Sequence, residues 1–310
     1  MRVEVQRLRR RDLKLRLESS CVAPLAAGSQ QPEAPRLKDT NRNIVEDRMM
    51  ERISSRSNQW IKKALQLKQK RWRDREGLFL LEGVRIVEDA LNQGITGCTC
   101  FFTDEALSNP RVSALLEKAE KLGWRLLLLE DPLMKLLSGT EHGQGIMLIC
   151  PERKENPKDL LRPLSGFYVV LDTVQDPGNL GTIMRTAAAA GVKGLILTEG
   201  CADMYSEKAA RSSMGSLLRI PVYQNVGIDF LKEMRQTSGL PFYGTALENG
   251  VPYKEVGPLK EGVFIFGNEG NGVRPEILSF TDKNLYIPLA GHVESLNVSI
   301  AAAVILFHFI

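Results

Sequence analysis

Apolar residues recur along most of the chain in two alternating registers, one helical and one extended. From Ser57 onward Trp60, Ala64 and Leu67 return at helical spacing, with Ile61 and Leu65 beside them. One basic helix over 58–75 is predicted there. An apolar strand over 78–81 follows, then a helix near 84–92 and a strand over 98–103. A helix near 112–122 and strands over 125–129 and 146–150 complete a first α/β region. Residues 151–166 are rich in Pro and charge and read as a linker. A second series opens with a strand over 167–172 and a helix over 179–190. Strands near 194–198, 220–223, 242–246, 263–267 and 284–287 come next, and an apolar helix over 297–310 is last. Strands rich in Val, Ile and Leu between helices predict a mostly parallel sheet covered on both faces. Residues 1–49 have no sustained periodicity and hold Pro24, Pro32 and Pro35 among small polar residues. They read as a disordered extension.

The organisation is therefore an extension (1–49), a small α/β domain (52–150), a linker (151–166) and a larger α/β domain (167–310). The length of 310 residues is ample for two domains at roughly 100–200 residues each. Charge sharpens this picture. Residues 1–75 carry 20 Lys and Arg against 9 Asp and Glu, whereas the rest carries 21 against 28. A basic front on a mildly acidic body suits a polyanionic partner. Composition removes other classes. The five cysteines form no C-x-x-C, which disfavours a disulfide scaffold or zinc ribbon and fits a reducing cytoplasm. Cys98 and Cys100 share one strand face and read as core. No apolar run reaches the ~18 residues of a membrane span. His142, His292 and His308 lack ligand spacing, so no metal site is expected. His292 near Ser295 has no G-x-S-x-G elbow to support a nucleophile.

Three segments at predicted strand ends concentrate unusual residues, where open α/β sheets bind ligands. The first, 172–192, puts an Asp176-Pro177-Gly178 turn before a helix, with Asn179 as its N-cap and Arg185 nearly two turns on. The second is FIFGNEGNGV, 264–273. Its glycines at 267, 270 and 272 match neither a dinucleotide fingerprint nor a Walker A loop, so they suit close backbone approach to another ligand. The third, 287–307, puts Ser295, Asn297 and Ser299 at the mouth of the apolar helix. There they cap the helix or face a pocket. Asn297-Val-Ser299 formally matches a glycosylation acceptor, which a helical, cytosolic context makes irrelevant.

Together these segments resemble the SpoU/TrmH family of RNA ribose 2′-O-methyltransferases, within the SPOUT class. The resemblance rests on N-L-G-x-x-x-R-T-A, F-G-N-E-G-x-G and I-P-x-x-G-x-x-x-S-L-N-V-S in that order. It covers about residues 167–310. The region 52–150 is more loosely similar to the small substrate-binding domain of many such enzymes. The resemblance implies a trefoil-knotted α/β fold, S-adenosylmethionine as methyl donor, and a homodimer with active sites at its interface. It implies donor binding through Gly267, Ile287 and Leu296, with Thr245, Ala246 and Leu247 in the same pocket and Asn268, Gly270 and Ser295 beside them. Arg185 matches the catalytic arginine, and Asn179, Glu269 and Asn297 match residues that shape the site. No metal is implied.

The implied activity is methylation of structured RNA. The basic helix at 58–75 and the fused small domain favour ribosomal over transfer RNA. Lys62, Lys63, Lys70, Arg71 and Arg73 are the expected RNA contacts. The competing reading is a non-catalytic RNA-binding module that kept the fold.

Overall fold

A computed structural model describes residues 50–139, 143–291 and 293–310. The extension 1–49, together with Cys21, His142 and His292, lies outside the described residues. The first sheet is built from β1 (Glu51–Ile53), β2 (Leu78–Glu82), β3 (Thr99–Phe102), β4 (Arg125–Leu129) and β5 (Ile146–Pro151). Its order is β1-β4-β3-β5-β2, parallel through the first three and antiparallel at both β5 pairings. Helices α1 (Gln59–Leu67), α2 (Lys70–Glu76), α3 (Val84–Asn92), α4 (Asp104–Leu107), α5 (Pro110–Lys121) and α6 (Asp131–Leu137) fill the connections. Ile61, Ala64 and Leu67 of α1 are buried and join one core with Phe101, Leu127 and Leu137.

The expected single basic helix is two. Asn58 caps α1 by accepting from the Trp60 amide at 2.8 Å. The chain then opens at Gln69, which is extended (φ −100°, ψ 132°), before α2 begins. Gly77 ends α2 at φ +64°, the left-handed turn that a residue without Cβ takes at low cost. The break swings the face of α2 that bears Arg73 inward.

After β5 the chain passes through a short 3-10 turn whose Leu160 is buried. The second sheet comprises β6 (Phe167–Leu171), β7 (Gly194–Thr198), β8 (Val222–Val226), β9 (Phe242–Thr245), β10 (Gly250–Pro252), β11 (Gly262–Phe266) and β12 (Lys283–Tyr286). Its order is β10-β12-β9-β11-β6-β7-β8, and every pairing is parallel. β6, β7 and β11 are buried along their whole length, as a doubly covered parallel sheet requires. The covering helices are α7 (Pro177–Ala190), α8 (Glu207–Ser213), α9 (Ile228–Thr237), α10 (Pro275–Leu278) and α11 (Val298–Phe309). β12, β9, β11 and β6 lie side by side and point the same way. The loops after Tyr286, Thr245, Phe266 and Leu171 therefore emerge together on one edge.

Candidate active site

Those four loops form one connected site, held together by short polar contacts. The start of α7 shows how. Asp176, not Asn179, is the N-cap: its carboxylate accepts the Asn179 amide at 2.8 Å. Pro177 occupies the first helical position, where a missing N–H costs nothing. The earlier cap leaves the Asn179 side chain free. Its amide donates to Glu269 Oε1 at 3.0 Å, and its carbonyl accepts from Asn297 Nδ2 at 2.9 Å. Glu269 also accepts the backbone amides of Gln175 and Asp176 at 3.3 and 3.2 Å. Asn297 in turn caps α11, taking the Ser299 amide at 2.9 Å. Asn179, Glu269 and Asn297, from three separate segments, thus form one hydrogen-bonded chain.

Partial burial alone would push the Glu269 carboxyl up. The Asn179 amide and the backbone amides outweigh it, holding the group below the usual carboxylate range. Glu269 is therefore an ionised acceptor at neutral pH and orients its neighbours; it is not a proton store.

The glycine loop is shaped from within. Asn268 and Gly272 exchange backbone hydrogen bonds at 3.0 Å, and Gly272 takes φ +70°. The Asn268 side-chain carbonyl accepts the Gly270 amide at 2.9 Å, while its amide donates to Thr173 O at 2.8 Å. A Cβ on Gly267 would lie 2.0 Å from the Gly272 carbonyl carbon. Gly267 is required by the loop's own backbone. Gly270 is different: a Cβ there would meet only Asn268 Oδ1, at 3.5 Å, so the protein's own packing leaves room for it. It has no positive φ either, so its hydrogen at Cα is not a steric necessity. Behind the loop, fully buried Asp172 at the end of β6 accepts Arg274 through its backbone N and Nε, at 2.9 and 2.8 Å. This pair pins the loop to the sheet and lies outside the functional residues expected from sequence. An aspartate directly after an apolar strand is the signal that could have found it.

Residues 245–247, 267–270, 287 and 295–297 all line one cavity of about 430 Å³. Every residue expected to bind the donor is among them. The Thr245 hydroxyl is fixed by donation to Ile265 O at 2.9 Å. Glu269 and Glu294 also line the cavity, and no Lys or Arg does among the described residues. Leu247, 70% exposed, stands at its rim.

Arg185 does not join this cavity. It is exposed on α7 and lines a separate hollow. The basic residues of the first domain divide as well. Lys62 and Arg71 are exposed, Arg71 lying over the Trp72 ring at 5.6 Å. Lys63 pairs with Glu76 at 3.6 Å and Lys70 with Asp74 at 3.2 Å. Arg73 departs from the expectation of an RNA contact. It is buried, donates to Leu67 O at 2.8 Å, and pairs with Asp203 of the second domain at 2.5 Å. The break at Gln69 is the cause, since it turns this position toward the other domain.

Comparison with known proteins agrees with the geometry. Residues 166–307 match the SpoU rRNA Methylase family, and residues 58–148 match the MRM3-like substrate binding domain. The chain is 37% identical over 259 residues to the 23S rRNA (guanosine(2553)-2'-O)-methyltransferase RlmP of Bacillus subtilis, covering 84% of this chain and 99% of that relative. It is 30% identical to the mitochondrial rRNA methyltransferase 3A of Danio rerio, covering 76% of this chain and 64% of that protein. The AdoMet-bound rRNA methyltransferase from Sinorhizobium meliloti superposes with a TM-score of 0.75 at 32% identity, covering 83% and 96% of the two chains. The chain belongs to the SpoU rRNA methylase family.

Proposed function

We propose that this protein transfers a methyl group from S-adenosylmethionine to a ribose 2′-hydroxyl of ribosomal RNA. The observation that carries the reading is the cavity at the four strand ends, closed on one side by the Asn179–Glu269–Asn297 chain. Its lining fits the donor's chemistry. Leu247, Leu289 and Leu296 offer apolar surface, while two carboxylates and, among the described residues, no Lys or Arg favour a cationic group over a phosphate. When bound, the donor supplies a methyl group on a sulfonium that leaves readily. The protein's task is placement, because aligning the hydroxyl oxygen with the methyl carbon is worth several kcal/mol, about 7–11 in favourable cases. The loop at 267–272 is fixed by its own backbone pairing, so the donor-side wall is set before substrate arrives.

Arg185 brings a cationic, planar guanidinium. It serves as an electrostatic clamp on the hydroxyl and its neighbouring phosphate. It stands outside the cavity of its own chain, which supports a homodimer in which it serves the partner's cavity. An apolar surface fits such a pairing: Ile300 and Phe307 of α11 are 52% and 61% exposed, and α11 packs on α7. The first domain supplies RNA affinity through the exposed Lys62 and Arg71, with Lys63 and Lys70 at the margin. Free Cys98, Cys100, Cys150 and Cys201 suit a reducing compartment such as the cytoplasm. The sheet order, with β12 inserted between β9 and β10, is compatible with the knotted path of the class.

Radiolabelled donor with total ribosomal RNA, followed by mapping of 2′-O-methyl positions, tests the reading. Methyl incorporation at a ribose is the expected result. RNA binding without donor binding would instead mark a non-catalytic module.

A further inference from the structure

A second hollow, of about 330 Å³, opens where the two domains meet. Arg85 of α3 lines it from the first domain. Arg185 of α7 and Arg219, just after the 3-10 turn Ser216–Leu218, line it from the second. Three guanidinium groups in one concavity repel one another unless anions compensate. Among the described residues only one finds a carboxylate: Arg219 pairs with the buried Asp89 of α3. Arg85 and Arg185 have no hydrogen bond or ion pair to any described residue, although both are exposed and long enough to find one. Several arginines elsewhere are paired, Arg52 with Asp104, Arg111 with Glu88 and Arg235 with Asp282 among them. Among the described residues no Asp or Glu lines the hollow. Its remaining wall is small or apolar, with Ala188, Ala189 and Met214. Met214 sits in the left-handed region (φ 49°) with its side chain 45% exposed at the same hollow.

We propose that this hollow binds a backbone phosphate of the RNA substrate, held between Arg85 and Arg185. The proposal rests on the reading that the protein acts on RNA, and it adds Arg85, which lies outside the three methyltransferase motifs, in the region that matches the substrate binding domain. Guanidinium forks match phosphate oxygens in a bidentate manner, which a single ammonium cannot do. One arginine comes from each domain. The bound phosphate would therefore fix the RNA relative to both domains, and so place one ribose for reaction. Arg219, already neutralised by Asp89, forms the back wall and holds α3 against the second domain.

The test compares full-length wild-type protein with Arg85→Gln, Arg85→Lys and Lys121→Gln. Lys121, at the end of α5, does not line the hollow and controls for loss of charge in general. Binding to a ribosomal RNA transcript is measured over a range of salt concentrations, alongside thermal unfolding and calorimetric donor binding. Arg85→Gln should weaken RNA binding about tenfold and reduce the salt slope by roughly one contact. Arg85→Lys should recover the slope but only part of the affinity. Lys121→Gln should match wild type, and donor affinity and melting temperature should not move. Wild-type affinity and slope in Arg85→Gln would overturn the proposal, as would an equal loss in Lys121→Gln. The broader reading fails separately. A wild type that binds RNA without transferring methyl would refute the enzyme, while the Arg85 comparison would still be read from binding alone. A wild type that binds no RNA would refute both.

Discussion

At the residue scale, two glycines of one loop carry different burdens. The spacing of Gly267, Gly270 and Gly272 points to a tight turn, which the structure has at the cavity wall, but not to which hydrogen is indispensable. That depends on which backbone stands behind each Cα, and a sequence does not show it. At Gly267 the obstacle is the Gly272–Val273 backbone, near 2 Å from where a Cβ would stand. Gly267→Ala should therefore cost about 1–3 kcal/mol by overpacking, and donor affinity should fall with it because the loop must shift. Gly270→Ala meets only Asn268 Oδ1, at ordinary van der Waals distance, and should stay within about 0.5 kcal/mol of wild type. Thermal unfolding and calorimetry on the two variants check this, and equal costs would refute the assignment. Asn179 teaches the same lesson. Its residue type suits a helix start, yet Asp176 and Pro177 begin the helix a fraction of a turn earlier, and Asn179 is released to bind Glu269.

At the element scale, the strands long enough to show an apolar run are legible in the sequence, and the shortest are not. β1 and β10 are three residues each and lack a pattern of their own. α8, EKAARSS, has no apolar stripe, so periodicity passes over it. Tertiary contacts account for that helix. A Cβ on Gly181 of α7 would come within 2.4 Å of Ala209 O, so α7 and α8 approach backbone to backbone there. Lys208 of α8 pairs with the capping Asp176 at 2.5 Å, and Lys68 of the first domain reaches Glu207 at 3.5 Å. α8 thus joins the first domain to the start of α7. The Arg73–Asp203 pair secures the same junction, with the two side chains 6% and 15% exposed. Arg73→Gln leaves Asp203 without its charge partner and should cost about 3 kcal/mol, the lower end for a broken buried pair. Arg71→Gln, on the exposed side of the same helix, should leave stability alone and flatten the salt dependence of RNA binding. Denaturant unfolding and salt titration of both variants separate the roles. The charge count in the sequence treats the two arginines alike, because burial is a property of the packed domains.

At the scale of the whole molecule, the parts of the site fall into two groups on one chain. Asn179, Glu269 and Asn297 adjoin the cavity, whereas Arg185 faces outward into the hollow shared with Arg85. The motif spacing groups all four together and says nothing of which copy of the chain each serves. If Arg185 completes the partner's cavity, two kinds of inactive variant should repair each other. Arg185→Ala keeps its own cavity but deprives the partner of its arginine. Asn297→Ala keeps its arginine but breaks its own cavity wall. Each should be inactive alone while remaining folded, since Arg185 is exposed and loss of the Asn297 cap costs only about 1 kcal/mol. Refolded together, half the dimers are mixed, and each mixed dimer assembles one site with every group intact. Activity should then return to about a quarter of wild type, the fraction that two-fold symmetry dictates. Phe307→Asp, placed on the exposed face of α11, should abolish the rescue by opposing association, with the loss visible as a monomer in sedimentation. A mixture that stays inactive, under conditions where subunits demonstrably exchange, would return Arg185 to its own chain and require α7 to move before reaction.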